Sequence, residues 1–471
     1  MIQRILASVC LLGITSALHA QNTAQQLQSA LSTLTKDPQL KYASWSMTVI
    51  NAQTGTRIFE DRSQQALAPG SVLKIITATT ALSLLGSNYQ YKTTVAYDGN
   101  IHTNGTLQGN IIIKGAGDPS LGSPRYQQNK DNVVLQDWVD AIKKTGIKKI
   151  NGKIIADDAA FDTQTVPDGW IWQDLGNYYG AGASGLSWRE NQFDILLQPS
   201  SRTGAPVAYK GTRPEMPYLT IINELLTGPA GSGDQAYAYL PPYTNTAYLR
   251  GTLGLDEKNT SIAAAIPDPG YECAYRLQEA LRQANITTAG ITTARLLHAT
   301  GQSLPARTSN ITTTNSPSLD KIIYWFLKKS INLYGEHLLK TLALQQTEAA
   351  STTAGITRIK QYWQQAGIDS NALNIFDGSG LAPANRITTS ALTNVLFRAQ
   401  KESWFPIFYD ALPEINNMKM KDGYINNVRA YAGYTKPKQG PPLIFALIVN
   451  NFNGTPGTVR QKMWKVLDTL K

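Results

Sequence analysis

Ser71 and Lys74 stand three residues apart in Ser71-Val72-Leu73-Lys74, just after Pro69-Gly70 and ahead of the apolar run Ile75-Ile76-Thr77-Ala78-Thr79-Thr80-Ala81-Leu82. On a helix, residues i and i+3 are neighbours on one face, so the spacing sets an amine beside a hydroxyl. A helix N-terminus also favours negative charge. A serine that yields its proton to that lysine becomes a nucleophile for acyl transfer. The apolar run predicts a buried helix, which argues against a capping serine followed by a surface lysine.

The same spacing recurs at Ser318-Leu319-Asp320-Lys321, so one of the two pairs must be accidental. In the motif set of penicillin-binding proteins and β-lactamases, which a Ser-x-x-Lys pair resembles, a Ser-x-Asn and a Lys-x-Gly follow downstream. Ser330-Ile331-Asn332 is the only Ser-x-Asn in the chain. From Ser71 it is remote and can be brought across a cleft by folding. From Ser318 it lies a few turns along what reads as one continuous helix, and Ser318 is better read as a helix-start residue. Lys421-Asp422-Gly423 supplies the third element, ahead of a strand-like run from Val428 to Tyr434. A lysine beside a glycine at a sheet edge lets a substrate carboxylate approach the backbone while its charge is met. Lys419 is a nearby substitute.

Strand character at Ser44 to Ile50, a turn over Ala52-Gln53-Thr54-Gly55 and a return at Thr56 to Phe59 predict a hairpin that feeds the Ser71 helix. A helix over residues 22 to 37 precedes it. Val428 to Tyr434 and Leu443 to Asn451 read as two further strands, followed by a closing helix from about Gly457. Strands at both ends of the chain predict one sheet assembled from its two termini, with helices packed on it. Residues 90 to 300 differ: they are rich in Gly, Asn, Thr and Asp, with short strand-like runs, and read as inserted β-rich material.

The 471 residues, 42% of them hydrophobic, suffice for more than one domain. Residues 1–20, with Arg4, an apolar stretch from Ile5 to Leu18 and Ala20, have the layout of a secretory signal peptide. The run is short for a membrane span, and Cys10 is poorly placed for a lipoprotein. After export only Cys273 remains, which excludes an internal disulfide and a cysteine metal cluster; it reads as a packed small residue in a helix. A formal net charge of +10 is dispersed rather than clustered, which argues against nucleic acid and suits an anionic wall polymer as well as simple solubility. The three of four histidines that lie beyond the signal peptide, His102, His298 and His337, are scattered and show no metal-ligand spacing. No Gly-x-Ser-x-Gly elbow accompanies them, as a Ser-His-Asp hydrolase would require. No cofactor or metal is expected.

Taken in order, Ser71-x-x-Lys74, Ser330-x-Asn332 and Lys421-x-Gly423 resemble the motifs of the penicillin-recognising serine enzymes. The long interval between Lys74 and Ser330 points to the subgroup with extra domains there, the class C low-molecular-mass penicillin-binding proteins, or D-alanyl-D-alanine carboxypeptidase/endopeptidase family. Gly115 to Leu121, Gly169-Trp170, Asn177 to Gly182, Phe376-Asp377-Gly378-Ser379-Gly380-Leu381 and Tyr431-Ala432-Gly433-Tyr434 look like further landmarks of it. The resemblance implies an α+β fold: a transpeptidase/β-lactamase-like catalytic domain with two inserted β-rich domains. In this chain residues 21–90 and 301–471 would form the catalytic domain, 91–160 with 238–300 inserted domain II, and 161–237 inserted domain III.

It further implies a periplasmic serine DD-peptidase, with peptidoglycan stem peptides as substrates and β-lactam antibiotics as inhibitors. Ser71 would attack and Lys74 would be the base, its pKa depressed by burial and by Lys421. Ser330 would relay a proton to the leaving amine, and Asn332 would orient Lys74 and bind the substrate amide. Lys421 and Gly423 would meet the substrate, with the backbone amides of Ser71 and Tyr424 as the oxyanion hole. Asp377-Gly378-Ser379-Gly380 reads as a tight turn with a structural role. One departure stands out: the family carries a hydroxyl residue where this chain has Asp422, and an ionised carboxylate cannot donate a hydrogen bond. Facing the cleft, Asp422 would repel a terminal carboxylate or partly neutralise Lys421; facing away, it would change little. The alternative function is a catalytically impaired homologue that binds peptidoglycan without turnover.

Overall fold

In the computed structural model, residues 22–258, 260–346 and 349–471 are described. The proposed signal peptide and Cys10 lie outside them. The described residues divide into two compact units, one made of 22–87, 323–330 and 356–471, the other drawn from 88–322 and 331–355. Among the described residues no helix is long and apolar enough to cross a membrane.

The first unit is built on a six-stranded sheet whose order is Arg57–Asp61, Ser44–Asn51, Leu443–Asn450, Val428–Thr435, Met418–Ile425 and Glu414–Ile415, all antiparallel. The two ends of the chain meet in it as their strand patterns predict, with Val49 opposite Phe445. Alternation along the strands sends side chains to two faces. On one face Met47, Val49, Phe445, Leu447, Met418 and Met420 pack against Leu27, Leu31 and Leu34 of the helix over residues 22–35, and against Val459, Met463 and Val466 of Pro456–Asp468. On the other, the Thr389 hydroxyl of helix Thr389–Ala399 bonds the hydroxyls of Ser46 and Thr48 at 2.7 and 2.8 Å. The Tyr434 hydroxyl donates to the Leu396 carbonyl at 2.9 Å. The central strand Leu443–Asn450 is therefore covered on both faces and reads as a continuous apolar run, not an alternating one.

The second unit carries a five-stranded mixed sheet, Ile291–Thr293, Ile154–Asp157, Ile111–Lys114, Lys92–Tyr97 and Ser309–Asn315. Helices Asp131–Lys144 and Pro269–Gln283 contribute Trp138, Ile142, Cys273 and Leu277 to the cluster against it. Cys273 is fully buried, as its small apolar character predicts. A separate cluster runs from Phe193 to Ile266, around two smaller sheets.

The expected continuous helix from Ser318 to Asn332 is corrected by the structure. Helix Leu319–Lys328 ends, Ser330 takes a left-handed φ of 56°, and a new helix runs Asn332–Leu344. A non-glycine residue at positive φ cannot continue a right-handed helix.

Candidate active site

Ser71 lies in the 3-10 turn Gly70–Leu73, and the α-helix proper begins at Lys74, continuing to Leu85. The turn keeps the predicted adjacency: the Lys74 Nζ donates to the Ser71 Oγ at 2.9 Å. Lys74 is fully buried, as is every residue from there to Leu82. The decoy pair behaves otherwise. The Ser318 hydroxyl bonds the Asp320 carboxylate at the start of its helix, and Lys321 is two-thirds exposed and pairs with Asp320.

A contact that the spacing did not reveal holds Lys74 in place. Its Nζ donates to the Ser379 carbonyl at 2.6 Å, and one turn on, the Thr77 hydroxyl donates to the Gly378 carbonyl at 2.7 Å. The loop offering those carbonyls is itself tied by Asp377, whose carboxylate accepts from the amides of Gly380 and Ala382 at 2.7 and 2.6 Å and from Asn385 Nδ2 at 3.0 Å. Gly380, at φ 86°, lies so near Gly70 that a β-carbon would fall 2.0 Å from the Gly70 carbonyl oxygen. The sequence signal was the Asp-Gly-Ser-Gly turn itself, legible as a turn but not as the support of Lys74. Phe326 adds an apolar wall, its ring centroid 5.9 Å from the Nζ.

Strand Met418–Ile425 passes the nucleophile turn at Gly423. A β-carbon there would lie 2.1 Å from the Pro69 carbonyl oxygen and 3.1 Å from the amide nitrogens of Ser71 and Val72. A β-carbon on Gly70 would lie 2.8 Å from the Tyr424 amide nitrogen. The two backbone amides assigned to the oxyanion hole thus flank one glycine-glycine approach, which tolerates no side chain on either residue. Since Met418 and Met420 face the terminal helices, Lys421 and Gly423 face the side of the nucleophile turn.

Lys421 is buried, 1% exposed, and its Nζ bonds both the Asp422 Oδ1 and the Asp422 carbonyl at 2.8 Å. Asp422 leaves the strand on the face of Met418 and Met420, away from the nucleophile turn, yet its carboxylate bends round to the Lys421 ammonium. Burial pushes the Asp422 carboxyl up, but the Lys421 ammonium, its hydrogen bond and Arg429 together hold it below the usual carboxylate range. Lys419 sits elsewhere, over the Tyr409 ring at 5.7 Å.

Ser330 closes the segment 323–330 of the first unit, partly exposed. Asn332 opens helix Asn332–Leu344 in the second unit, where its amide donates to the Tyr179 carbonyl at 2.9 Å.

The second unit also contains a serine-histidine pair that scattered positions did not betray. His337 Nδ1 lies 2.8 Å from the Gly117 carbonyl and Nε2 lies 3.0 Å from the Ser187 hydroxyl. A carbonyl only accepts, so Nδ1 carries the proton and Nε2 accepts from Ser187. Both residues are at most 1% exposed, and the ring is oriented by a carbonyl instead of a carboxylate. This is a packed polar contact, not an access route to substrate.

Residues 27–416 match the model of the D-Ala-D-Ala carboxypeptidase 3 (S13) family. The chain is 25% identical over 477 residues to a D-alanyl-D-alanine carboxypeptidase of Actinomadura sp., covering 95% of this chain and 86% of the relative. It is 25% identical over 403 residues to the D-alanyl-D-alanine carboxypeptidase DacB of Haemophilus influenzae, covering 81% and 80%. The crystal structure of penicillin binding protein 4 (dacB) from Haemophilus influenzae superposes with a TM-score of 0.78 at 21% identity, over 93% of this chain and 98% of that one. The same protein complexed with a novel β-lactam superposes with a TM-score of 0.73. These structures share the α+β fold of this chain.

Proposed function

Because this chain belongs to the D-Ala-D-Ala carboxypeptidase 3 (S13) family, we propose that it is an exported serine DD-peptidase. It acts on D-alanyl bonds of peptidoglycan stem peptides through an acyl-enzyme on Ser71, and β-lactams acylate the same residue. The observation that carries the reading is the 2.9 Å bond between the Lys74 Nζ and the Ser71 Oγ, in a buried turn abutted by Gly423.

The chemistry assigned to these residues balances as follows. Ser71 Oγ attacks the D-alanyl carbonyl and its proton passes to Lys74, which must act as the neutral amine. The carbonyl oxygen, now anionic, sits between the amides of Ser71 and Tyr424, each worth about 3 kcal/mol in the transition state. The carbon-nitrogen bond breaks as Ser330 relays a proton to the leaving amine, and Asn332 binds the substrate amide. Water then adds to the ester and restores the serine. The Ser379 carbonyl supports Lys74 as base by fixing its Nζ. Lys421 and Gly423 meet the leaving side of the substrate.

The same reading places residues 91–160 with 238–300 in one inserted domain and 161–237 in another. Two separate hydrophobic clusters, around Trp138 and around Phe193, are in keeping with two inserted bodies, but the second runs on to Ile266, past the boundary at 237, and the first takes in Leu186 and Trp188. Export to the periplasm rests on residues 1–20.

A fluorescent penicillin tests the reading. Covalent labelling of the wild type that disappears in Ser71→Ala, together with release of D-alanine or of uncrosslinked peptides from purified peptidoglycan, is the expected result. A folded protein that takes no label and releases nothing would instead be a wall-binding homologue without turnover.

A further inference from the structure

Lys421 and Gly423 share one strand face, roughly 7 Å apart as alternate residues of a strand, and Gly423 touches the backbone of Ser71. Lys421 is therefore the cation nearest the leaving side of the nucleophile along this strand. Its ammonium is not waiting for an anion. It is 1% exposed and gives two of its three donors to the Asp422 carboxylate and the Asp422 carbonyl, both at 2.8 Å. Asp422 springs from the opposite face of the strand, and its carboxylate reaches the Nζ at the sheet edge. Beyond the short pairing of Glu414–Ile415 with Met418 and Lys419, that edge has no further strand partner among the described residues.

We infer that Asp422 sets the leaving-group specificity of this site. By occupying Lys421 it disfavours a carboxylate on the carbon that bears the leaving amine, so that D-alanyl amides lacking that charge are preferred over a terminal D-alanyl-D-alanine. The inference rests on the reading of the site as a serine DD-peptidase.

One ammonium cannot fully answer two carboxylates. A terminal D-alanine brings one negative charge to a place where one buried positive charge is already paired with the neighbouring Asp422 carboxylate. Binding it means either breaking a charge-assisted pair that is buried at its lysine end or adding a second anion beside Asp422. A leaving residue whose carboxyl is amidated, or a lysine-type side-chain amine in a cross-link, brings no such charge and leaves the pair intact. Arg429 does not relieve the conflict. It lies opposite Tyr424 on the neighbouring strand, its guanidinium carbon 4.4 Å from the Tyr424 ring centroid, and that face is turned from the nucleophile.

Two matched substrates read this directly: an N-acylated D-alanyl-D-alanine and the same peptide ending in D-alaninamide, each assayed with the wild type, Asp422→Asn and Asp422→Thr, with intact mass of the penicillin adduct followed in parallel. The wild type is expected to cleave the amide with a kcat/KM about tenfold above that of the acid, and both variants to raise the acid by about tenfold while leaving the amide unchanged, the scale of one charged hydrogen bond. Penicillin, which also carries a carboxylate, should acylate both variants faster. An amide-to-acid ratio that is the same in all three proteins, with Ser71 still acylated, overturns the inference alone. Failure of any substrate or penicillin to acylate Ser71 in any of the three overturns the DD-peptidase reading and the inference with it.

Discussion

Gly423 lies against the backbone of Ser71 so closely that a methyl group on its α-carbon would come within 3.1 Å of the Ser71 amide nitrogen and 2.1 Å of the Pro69 carbonyl oxygen. The strand cannot keep its place and accept a side chain there. Gly423→Ala is expected to push strand and nucleophile turn apart and to slow acylation by a β-lactam about a hundredfold, the scale of losing one oxyanion donor. The accompanying loss of stability should be about 1–3 kcal/mol, as for other overpacked sites. Stopped-flow acylation and thermal melts measure both, and an acylation rate within twofold of wild type would show that the approach has no catalytic part.

Lys74→Met removes the amine and keeps the volume. Acylation of Ser71 is expected to fall by roughly a thousandfold or more. Because the Lys74 Nζ bonds the Ser379 carbonyl, its loss strands a buried acceptor and should cost about 1–3 kcal/mol of stability. A variant that melts as the wild type does yet acylates at the normal rate would remove Lys74 from the mechanism.

The 377–380 loop supports Lys74 through a carbonyl, not through a side chain. The Ser379 hydroxyl is buried without a hydrogen-bond partner among the described residues, so Ser379→Ala should leave activity within about threefold and stability level or raised by about 1 kcal/mol. Gly380→Ala should do the reverse, since φ is 86° and the new carbon would strike the Gly70 carbonyl: a loss of about 2 kcal/mol or more and a marked fall in acylation. Equal behaviour of the two variants in the same assays would refute this division.

His337 makes stability depend on pH. Burial pushes its imidazolium down to about 3 from 6.5, with Lys340 acting in the same direction and the Gly117 hydrogen bond opposing. The folded protein therefore binds fewer protons than the unfolded chain between those values. This contribution is complete above pH 6.5 and is lost as pH falls towards 3, by about 1.4 kcal/mol per unit. Urea unfolding between pH 7.5 and 5 should show a loss of about 2 kcal/mol that His337→Gln removes. A slope unaltered by the substitution would assign the acid sensitivity to other groups.

Much of this architecture is readable along the chain because its causes are local. The i, i+3 spacing of Ser71 and Lys74 survives the change from α-helix to 3-10 turn, since both windings bring residues three apart together. The terminal strands and the hairpin announce themselves by pattern and turn residues, and the apolar run after Lys74 correctly implies burial. The decoy at Ser318 is a helix start because its hydroxyl has a carboxylate two residues away. In each case the interaction spans a few residues, and its cost in chain entropy is settled locally.

What folding decided are the meetings of residues far apart, together with backbone states that propensity does not favour. No periodicity links Ser379 to Lys74, and the carbonyl that fixes the lysine is a backbone group that every residue type carries. Ser330 interrupts a helix that its neighbours would continue, through a left-handed φ that only surrounding structure can impose. Alternation puts Lys421 and Asp422 on opposite faces of their strand, yet at an open edge two flexible side chains can bend round to form one ion pair. Charge and residue type were written in the chain, but whether that charge is free or already answered depends on the tertiary environment in which the strand ends.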